Sequence, residues 1–466
     1  MNKPLFLYLL VVMLMVLSAC IGEDEAEEPD SEAPESEVLE AVDHAEEENE
    51  ESVPVSSYNA DEQVEVIDSL FFGSDQREFS FLDDLVSDKS VVFLGEQMEG
   101  TREYTALFSR VIRHLHEEHG FDVVLFPYSY GDLQTQQLQG EHPHLFAADP
   151  TINFWPGEEM VTLLEYMEEE GNELQAGGFT PLMSEREPES VQQLIDKNEL
   201  EIELEEADDT LRAWQTSWRE ATTAESRTIT HETAVEEGDD LKRIYKDAAA
   251  AVAEAREEDD GEELASLDRL LDGRLALVDT LQSEHETKEN SRYSDAWDEV
   301  MAANIEWLVE EVYEDEKVIV WGDNRMFRKR SNSAVEESGD PDWFSNIWLQ
   351  LDDAIQAESY VIGTYTQAGE YNALPQGGIA GVEEPLSGSL ESRLGENGYS
   401  HSFLDLSELE DTIYHEVLTA HERGSEPLHF VPAEQYDGLF FIDEVRPAAS
   451  ASEALAPASI GRAVSQ

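Results

Sequence analysis

Ten residues from Val91 to Gly100, VVFLGEQMEG, restrict the fold of this chain more than any other stretch. Val91 to Leu94 is a continuous apolar run that predicts a buried strand, and Gly95 interrupts it. An amphipathic helix is predicted to begin after Thr101. In open parallel sheets, ligands bind beyond the carboxyl ends of the strands. Glu96 and Glu99 are therefore predicted to lie at this edge of the sheet, which we call the rim.

The order of the remaining elements predicts an α/β fold, with a mostly parallel central sheet flanked by helices and a long helical insertion. Phe121 to Phe126 reads as a second buried strand, and its short connection predicts that it neighbours the first strand. A helix is predicted from Trp155 to Met167, and further strands near 177–179, 317–321, 360–366 and 439–442. Residues 185–295 are rich in helix formers and predict an insertion of two to four helices, with an acidic break at 257–262.

The charge of the chain excludes one class of partner. Its 466 residues include 107 Asp plus Glu and 28 Lys plus Arg, giving a formal net charge of -79. Because such a surface repels phosphate, nucleic acid is not an expected partner. The composition is typical of a solvated surface suited to high salt, where screening reduces self-repulsion.

Residues 1–20 are predicted to be a lipoprotein signal peptide. Lys3 precedes an apolar run, and the sequence Leu17, Ser18, Ala19, Cys20 is similar to a bacterial lipobox. Cys20, the single cysteine of the chain, is then the predicted lipidation site, which would anchor an extracytoplasmic protein to the cell membrane. An uncleaved signal anchor is the alternative.

The predicted domain organisation follows from composition. Residues 21–60 are acidic and poor in aromatic residues, and they predict a disordered tether. Residues 61–449 form the predicted α/β domain, and 450–466 a flexible tail rich in Ala and Ser. The sequence contains no GxSxG elbow, P-loop, HExxH or CxxC motif, so these signatures support no serine hydrolase, NTPase or zinc peptidase chemistry.

Several stretches, in this order, resemble the erythromycin esterase family between residues 69 and 446. They are VVFLGEQMEGTREYTALFSRVIRHLHEEHGFDVVLF, FWPGEEMVTLLEYM, DEVMAANIEWLVEE with KVIVWGDN, YVIGTYTQAGEY and DGLFFIDEVRP. The resemblance implies an α/β hydrolase-like fold and hydrolysis of a macrolide lactone by an activated water. Haem-binding iron-uptake lipoproteins share a related opening motif but are shorter and lack the helical insertion.

The family's active-site residues are largely replaced in this chain. The resemblance implies a general-base histidine in the opening motif, and Glu99 occupies that position, while the motif carboxylate is kept as Glu96. A basic helix residue and an acidic strand-end residue of the family fall at Phe108 and Pro127. Its paired histidines fall at Asp323 and Met326, beside the retained Trp321 and Asn324.

Three interpretations remain open. In the first, the chain is a non-catalytic relative that binds a small ligand or ester in a crevice lined by Phe108, Pro127, Trp321, Asn324, Arg325 and Met326. In the second, Glu96, Glu99 and Asp323 form a new carboxylate site that hydrolyses an ester or lactone, or that holds a divalent cation. In the third, a histidine such as His114, His116 or His119 replaces the missing base, although these three are predicted to lie on the surface away from the rim.

Four cations, Arg325, Arg328, Lys329 and Arg330, follow the strand that ends at Trp321. They predict either charge pairing with neighbouring acids or a site for a carboxylate or phosphate ligand.

Overall fold

The structure is a computed structural model that describes residues 64–140, 157–169, 171–220, 228–258, 261–286, 295–336, 346–373, 378–407, 409 and 412–448. The predicted signal peptide, tether and tail, and Cys20 with them, lie outside the described residues. Among the described helices, none combines the length and apolarity needed to cross a bilayer.

An eight-stranded sheet forms the centre of the fold. Its strands are β1 Val64–Val66, β2 Val91–Glu96, β3 Phe121–Ser129, β4 Gln175–Thr180, β5 Lys317–Asp323, β7 Ser359–Thr366, β10 His401–Asp405 and β13 Gly438–Ile442. The strand order is β1-β10-β13-β7-β2-β5-β3-β4. Strands β13, β7, β2, β5, β3 and β4 run parallel, β10 pairs antiparallel with β13, and β1 pairs antiparallel with β10. The predicted α/β fold with a mostly parallel sheet is confirmed.

Smaller sheets lie outside the central one. Strands β11 Leu418–Glu422 and β12 Glu426–Phe430 form a hairpin that β6 Val335–Glu336 extends, and β8 Glu370–Asn372 pairs with β9 Ile379–Gly381.

Helices cover the sheet and connect its strands. They are α1 Arg102–His119, α2 Tyr130–Gln139, α3 Glu158–Glu168, α4 Glu187–Lys197, α5 Glu205–Glu220, α6 His231–Arg256, α7 Glu262–Glu286, α8 Asp295–Trp307, α9 Asn324–Phe327, α10 Ile347–Gln350, α11 Asp353–Ala357, α12 Leu390–Gly395 and α13 Pro432–Gln435. A 3-10 helix, Gln76–Leu82, lies between β1 and β2 in the chain, and a turn of π-helix, Leu308–Val312, follows α8. Helices α4 to α7 make up the predicted helical insertion, and its break falls between α6 and α7 as expected.

The alternating side chains of the strands divide the core in two. Val91 and Phe93 of β2 join the cluster that includes the insertion helices, whereas Val92 and Leu94 join the cluster under α1 and α3. All six residues of β2 are buried. This is the pattern of a central parallel strand covered on both faces, and it explains why the sequence shows a continuous apolar run.

The prediction that the first two buried strands are neighbours is wrong. Strand β5 lies between β2 and β3 and pairs with both. Its own run, Val318 to Trp321, is buried on both faces, so it meets the same requirement for a central position. The helical insertion returns the chain to the middle of the sheet, which a rule based on short connections does not anticipate.

Candidate active site

The ends of β2 and β5 bring two of the predicted carboxylates to the rim. Glu96 and Asp323 are register partners on these parallel strands. Neighbouring strands lie about 4.8 Å apart, so the two residues stand side by side. Glu96 has no exposed surface, while the Asp323 side chain keeps 16%. The convergence of these two distant segments at one end of a parallel sheet is as the sequence predicts.

Glu99 lies on the turn after β2 and is partly buried. Desolvation raises the pKa of its carboxyl group to about 8, the negative charge of Asp323 adds to the rise, and the guanidinium groups of Arg423 and Arg325 oppose it. A glutamate with an unperturbed pKa is a much poorer general base at neutral pH than imidazole. In this environment Glu99 instead titrates in the range where histidine is useful for acid–base catalysis.

Asp323 is held in place by its role as the N-cap of α9. Its carboxylate accepts a hydrogen bond from the Met326 backbone N–H at 2.9 Å and pairs with Arg325 at 3.4 Å. These contacts fix the side chain but leave part of it exposed. Asp323 can therefore still meet water or a ligand at the rim.

Asn324 links two strands through its side-chain amide, and the lack of a side chain at Gly95 leaves space for that amide. The Asn324 amide donates to the Thr364 carbonyl at 3.0 Å and accepts from the Thr364 N–H at 3.1 Å. It thereby joins the end of β5 to β7 across the intervening β2. A Cβ at position 95 would lie 2.7 Å from Asn324 Oδ1, so only glycine fits beneath this bridge.

Gln97, which the sequence analysis did not single out, organises the turn. Its Oε1 accepts from the Tyr104 hydroxyl at 3.2 Å and from the Thr366 N–H at 3.0 Å, and its Nε2 donates to the His421 carbonyl. Its own carbonyl accepts from the Arg423 N–H at 3.1 Å. One buried amide therefore connects β2, α1, β7 and the β11–β12 hairpin.

The hairpin brings further charged residues to the rim. Glu422 pairs with the buried Arg328 at 2.9 Å and accepts from the Tyr365 hydroxyl at 3.3 Å. Burial raises the pKa of Glu422, and Arg328 lowers it. Glu391 is also buried, and desolvation raises the pKa of its carboxyl group to about 7. The sequence did carry a signal for the hairpin, because Arg423, Gly424 and Ser425 separate two short apolar–polar alternations.

The predicted apolar lining residues lie below the rim. Phe108 and Trp321 have no exposed surface, and their rings meet edge to face at a centroid distance of 5.2 Å. Pro127 is buried in β3 beside a shift in strand register, where its missing N–H is tolerated. Of the proposed lining residues, only Arg325 and Met326 are partly exposed. Asn324 is buried, because its side chain forms the bridge to Thr364. Any crevice at the rim would therefore have Phe108 and Trp321 beneath its floor.

The three helix histidines do not reach the rim. Helix α1 runs from the rim at Thr101 to the other end of the sheet, where the parallel strands begin. His114, His116 and His119 lie there, near the start of β3. None of the three can therefore act at the rim, as the third interpretation requires. The prediction that they are surface residues is wrong for His114, which is 1% exposed because α1 packs this side against Phe79 and Asp83.

Each of the four clustered cations has a carboxylate partner. Arg325 pairs with Asp323, Arg328 with Glu422, Lys329 with Asp437 and Arg330 with Glu434. Charge pairing, the first of the two interpretations of this cluster, accounts for all four. Arg325 and Arg328 nevertheless place positive charge among the rim carboxylates.

The fold and the site together define a class: an α/β protein with a helical insertion and an acid–base cluster at the carboxyl ends of its parallel strands. A family model for erythromycin esterase matches residues 116–445. The chain belongs to the erythromycin esterase family.

Comparisons with individual proteins agree with this assignment. "Putative hydrolase YbfO" of Bacillus subtilis (strain 168) is 24% identical over 400 residues, which cover 80% of this chain and 87% of that protein. The crystal structure of a Bacillus cereus protein aligns with a TM-score of 0.62 at 17% identity, covering 83% of this chain and 96% of that one. A mutant of the erythromycin esterase EreC in its open conformation aligns with a TM-score of 0.60 at 14% identity, covering 81% and 96%. At these identities the structural matches establish the fold.

Proposed function

We propose that this protein hydrolyses carboxylic esters or lactones, with Glu99 as general acid and Asp323 as general base on the attacking water. The observation that carries the proposal is the placement of Glu99 at the rim within electrostatic range of Asp323, with the guanidinium group of Arg325 near both carboxylates and that of Arg423 near Glu99. The hydrolase relative and the family assignment support the reaction class.

The proposed hydrolysis is a direct attack of water on the ester and needs no covalent enzyme intermediate. Asp323 takes a proton from water as the water oxygen bonds to the acyl carbon, and an arginine stabilises the charge that develops on the carbonyl oxygen. The bond between the acyl carbon and the alkoxy oxygen then breaks. Glu99, whose raised pKa of about 8 keeps it protonated at neutral pH, donates a proton to the departing alkoxide.

Binding of a small ligand or ester without turnover is the second candidate. It is favoured by the sequence resemblance, in which the family's histidine positions fall at Glu99, Asp323 and Met326. A divalent cation held by Glu96, Glu99 and Asp323 would be an addition to either candidate. That cation stays a prediction, which activity and melting temperature before and after treatment with a chelator would test.

The decisive experiment measures hydrolysis of 4-nitrophenyl esters and of an aliphatic lactone by the detergent-solubilised full chain. We expect Glu99→Gln and Asp323→Asn each to lower kcat by about 100-fold or more with little change in KM. The matched control is Glu370→Gln, an exposed glutamate on β8, which should keep full activity. The native profile of kcat/KM should decline above about pH 8, where Glu99 loses its proton.

Turnover that survives both substitutions would contradict the proposed roles. Thermal stabilisation by an ester or lactone without any turnover would favour the binding candidate.

We also propose that the mature protein is attached to the extracytoplasmic face of the cell membrane through a lipid on Cys20. The support is the sequence of the first 20 residues. Cys20→Ser should move the protein from the membrane fraction to the soluble fraction, and mass spectrometry of the amino-terminal peptide should show diacylglycerol on the native protein alone. An unmodified Cys20 in membrane-bound protein would contradict this.

A further inference from the structure

A second cluster of ligand-type side chains lies at the edge of the sheet opposite the rim. Asp83 caps the end of the 3-10 helix Gln76–Leu82, and His114 and His119 belong to the last turns of α1. Since α1 has 18 residues, this cluster is separated from the rim by about 20 Å or more along the helix. The proposed reaction does not use these residues.

The two imidazoles converge on one carboxylate oxygen. The Nε2 atoms of His114 and His119 lie 3.0 Å and 2.9 Å from Asp83 Oδ1. The ligand atoms of all three residues lie within 4.8 Å of one another, and among the described residues they are the only group of three or more with this property. Ligand atoms around a tetrahedral zinc ion are separated by roughly 3.4 Å. The present spacing therefore needs shifts of less than about 1 Å to accept an ion.

Burial and exposure suit a metal site with one open position. His114 is 1% exposed and is fixed by its position in the core, where its ring contacts Phe79. The His119 side chain keeps 13% of its surface, and the Asp83 side chain keeps 47%. One ligand is thus rigid, and the carboxylate side of the cluster faces water.

We propose that Asp83, His114 and His119 bind a divalent transition metal of the zinc class, with water as the fourth ligand. Two imidazoles and one carboxylate suit zinc, whereas calcium and magnesium prefer oxygen ligands alone. The ion would join the segment between β1 and β2 to the end of α1. The chain contains only one cysteine, so no disulfide within the chain can make that connection.

The test titrates zinc into the metal-stripped full chain in the presence of excess magnesium, which occupies carboxylate-only sites on this acidic surface. We expect one zinc ion per chain, with micromolar or tighter affinity, and a rise in Tm of a few degrees. Cobalt substituted for zinc should give the visible absorption of a four-coordinate ion. His119→Gln should weaken zinc binding by about 100-fold, because one of three protein ligands is lost.

His116→Gln is the matched control. His116 lies on the same helix but bonds to the Tyr166 hydroxyl at 2.7 Å, outside the cluster. The variant should bind zinc with native affinity. His114→Gln is the less useful variant because loss of a buried side chain can unfold the protein, so the partly exposed His119 decides the result. Zinc affinity in His119→Gln within about threefold of the native value, or the absence of any one-to-one zinc binding, would overturn the proposal.

Discussion

Glu99 illustrates how one residue acquires its properties from its neighbours. An ordinary glutamate is ionised at neutral pH, but partial removal from water next to the negative charge of Asp323 disfavours ionisation here. The guanidinium groups of Arg325 and Arg423 offset only part of this effect. The local environment thus gives the Glu99 carboxyl group a pKa of about 8, closer to that of imidazole than to that of an ordinary glutamate.

The raised pKa of Glu99 makes stability depend on pH. With an unfolded pKa of 4.5 and a folded pKa of about 8, the folded state keeps a proton that the unfolded state releases. The stability that the protonated Glu99 carboxyl group contributes is fully present below pH 4.5 and is lost as the pH rises through 8. Glu99→Gln should therefore raise the free energy of unfolding at pH 9 by about 2 kcal/mol relative to the native chain, with a much smaller difference at pH 4.5. Urea unfolding at both pH values and fixed salt measures this.

The control for this measurement is Glu370→Gln, whose difference from the native chain should be the same at both pH values. Equal effects of Glu99→Gln at pH 4.5 and pH 9 would show that Glu99 titrates normally in the folded state.

Gly95→Ala tests the close approach of Asn324 to β2. A Cβ there would lie 2.7 Å from Asn324 Oδ1 and 3.0 Å from its Cα, so the bridge to Thr364 must move. We expect destabilisation of about 1–3 kcal/mol in chemical denaturation and loss of any rim activity. Gly273→Ala is the control, because its Cβ would meet only Pro181 at 3.8 Å and alanine favours helix α7. An unchanged Gly95→Ala protein would contradict this account of the rim.

At the scale of elements, a buried ionic network fastens the helical insertion to the sheet. Ser129 at the end of β3 donates to Glu187 of α4, and Glu187 pairs with Arg274 of α7. Arg274 also contacts Asp208 of α5 at 3.2 Å, and Asp208 accepts from the Tyr245 hydroxyl of α6 at 2.7 Å. Four insertion helices are therefore joined through one polar network to β3, a strand of the central sheet.

Arg274→Met should destabilise the protein by about 3–5 kcal/mol, because it leaves the buried carboxylates of Glu187 and Asp208 without their cation. Adding Glu187→Gln and Asp208→Asn to this variant should recover part of the loss. The matched control is Arg243→Met on α6, whose exposed pair with Asp240 contributes less than about 1 kcal/mol. If urea unfolding showed the same loss of stability in Arg274→Met and Arg243→Met, the buried network would not be what fastens the insertion to the sheet.

At the scale of the whole molecule, self-repulsion opposes folding. The formal net charge is -79, and compaction brings these charges together. The Debye length shortens from about 10 Å at 0.1 M salt to about 3 Å at 1 M, so added salt relieves repulsion between exposed carboxylates. The buried ion pairs at Arg274 and Arg328 are screened much less, because water and ions do not reach them.

The Tm of the full chain should rise by several degrees between 0.05 M and 1 M NaCl. Below about 0.3 M, where screening dominates, NaCl and Na₂SO₄ at equal ionic strength should give the same gain. Sucrose at matched osmolality serves as the uncharged control and should not reproduce the steep low-salt part of the curve. A Tm that falls or stays constant with added salt would contradict a fold limited by charge repulsion.

Much of the architecture could be predicted from local pattern. The apolar runs of β2, β3, β5, β7 and β13 identify buried strands, and their periodicity and composition locate α1 and the insertion helices. The antiparallel strand β10 was missed because HSFLD is too short and mixed to stand out. The position of β5 between β2 and β3 was also missed, since pairing across the insertion depends on long-range packing.

The sequence by itself determined the α/β class, the family resemblance, the excess of acidic residues, the placement of Glu96 and Asp323 at strand ends, and that of Glu99 on the turn after β2. Those properties follow from the hydrophobic period and from motif order, which are local. Only the tertiary structure decided that Gln97 joins four elements, that Phe108 and Trp321 lie under the rim, and that burial raises the pKa of Glu99 to about 8. Hydrogen-bond partners and desolvation depend on which distant segments pack around a group, and a linear pattern does not carry that information.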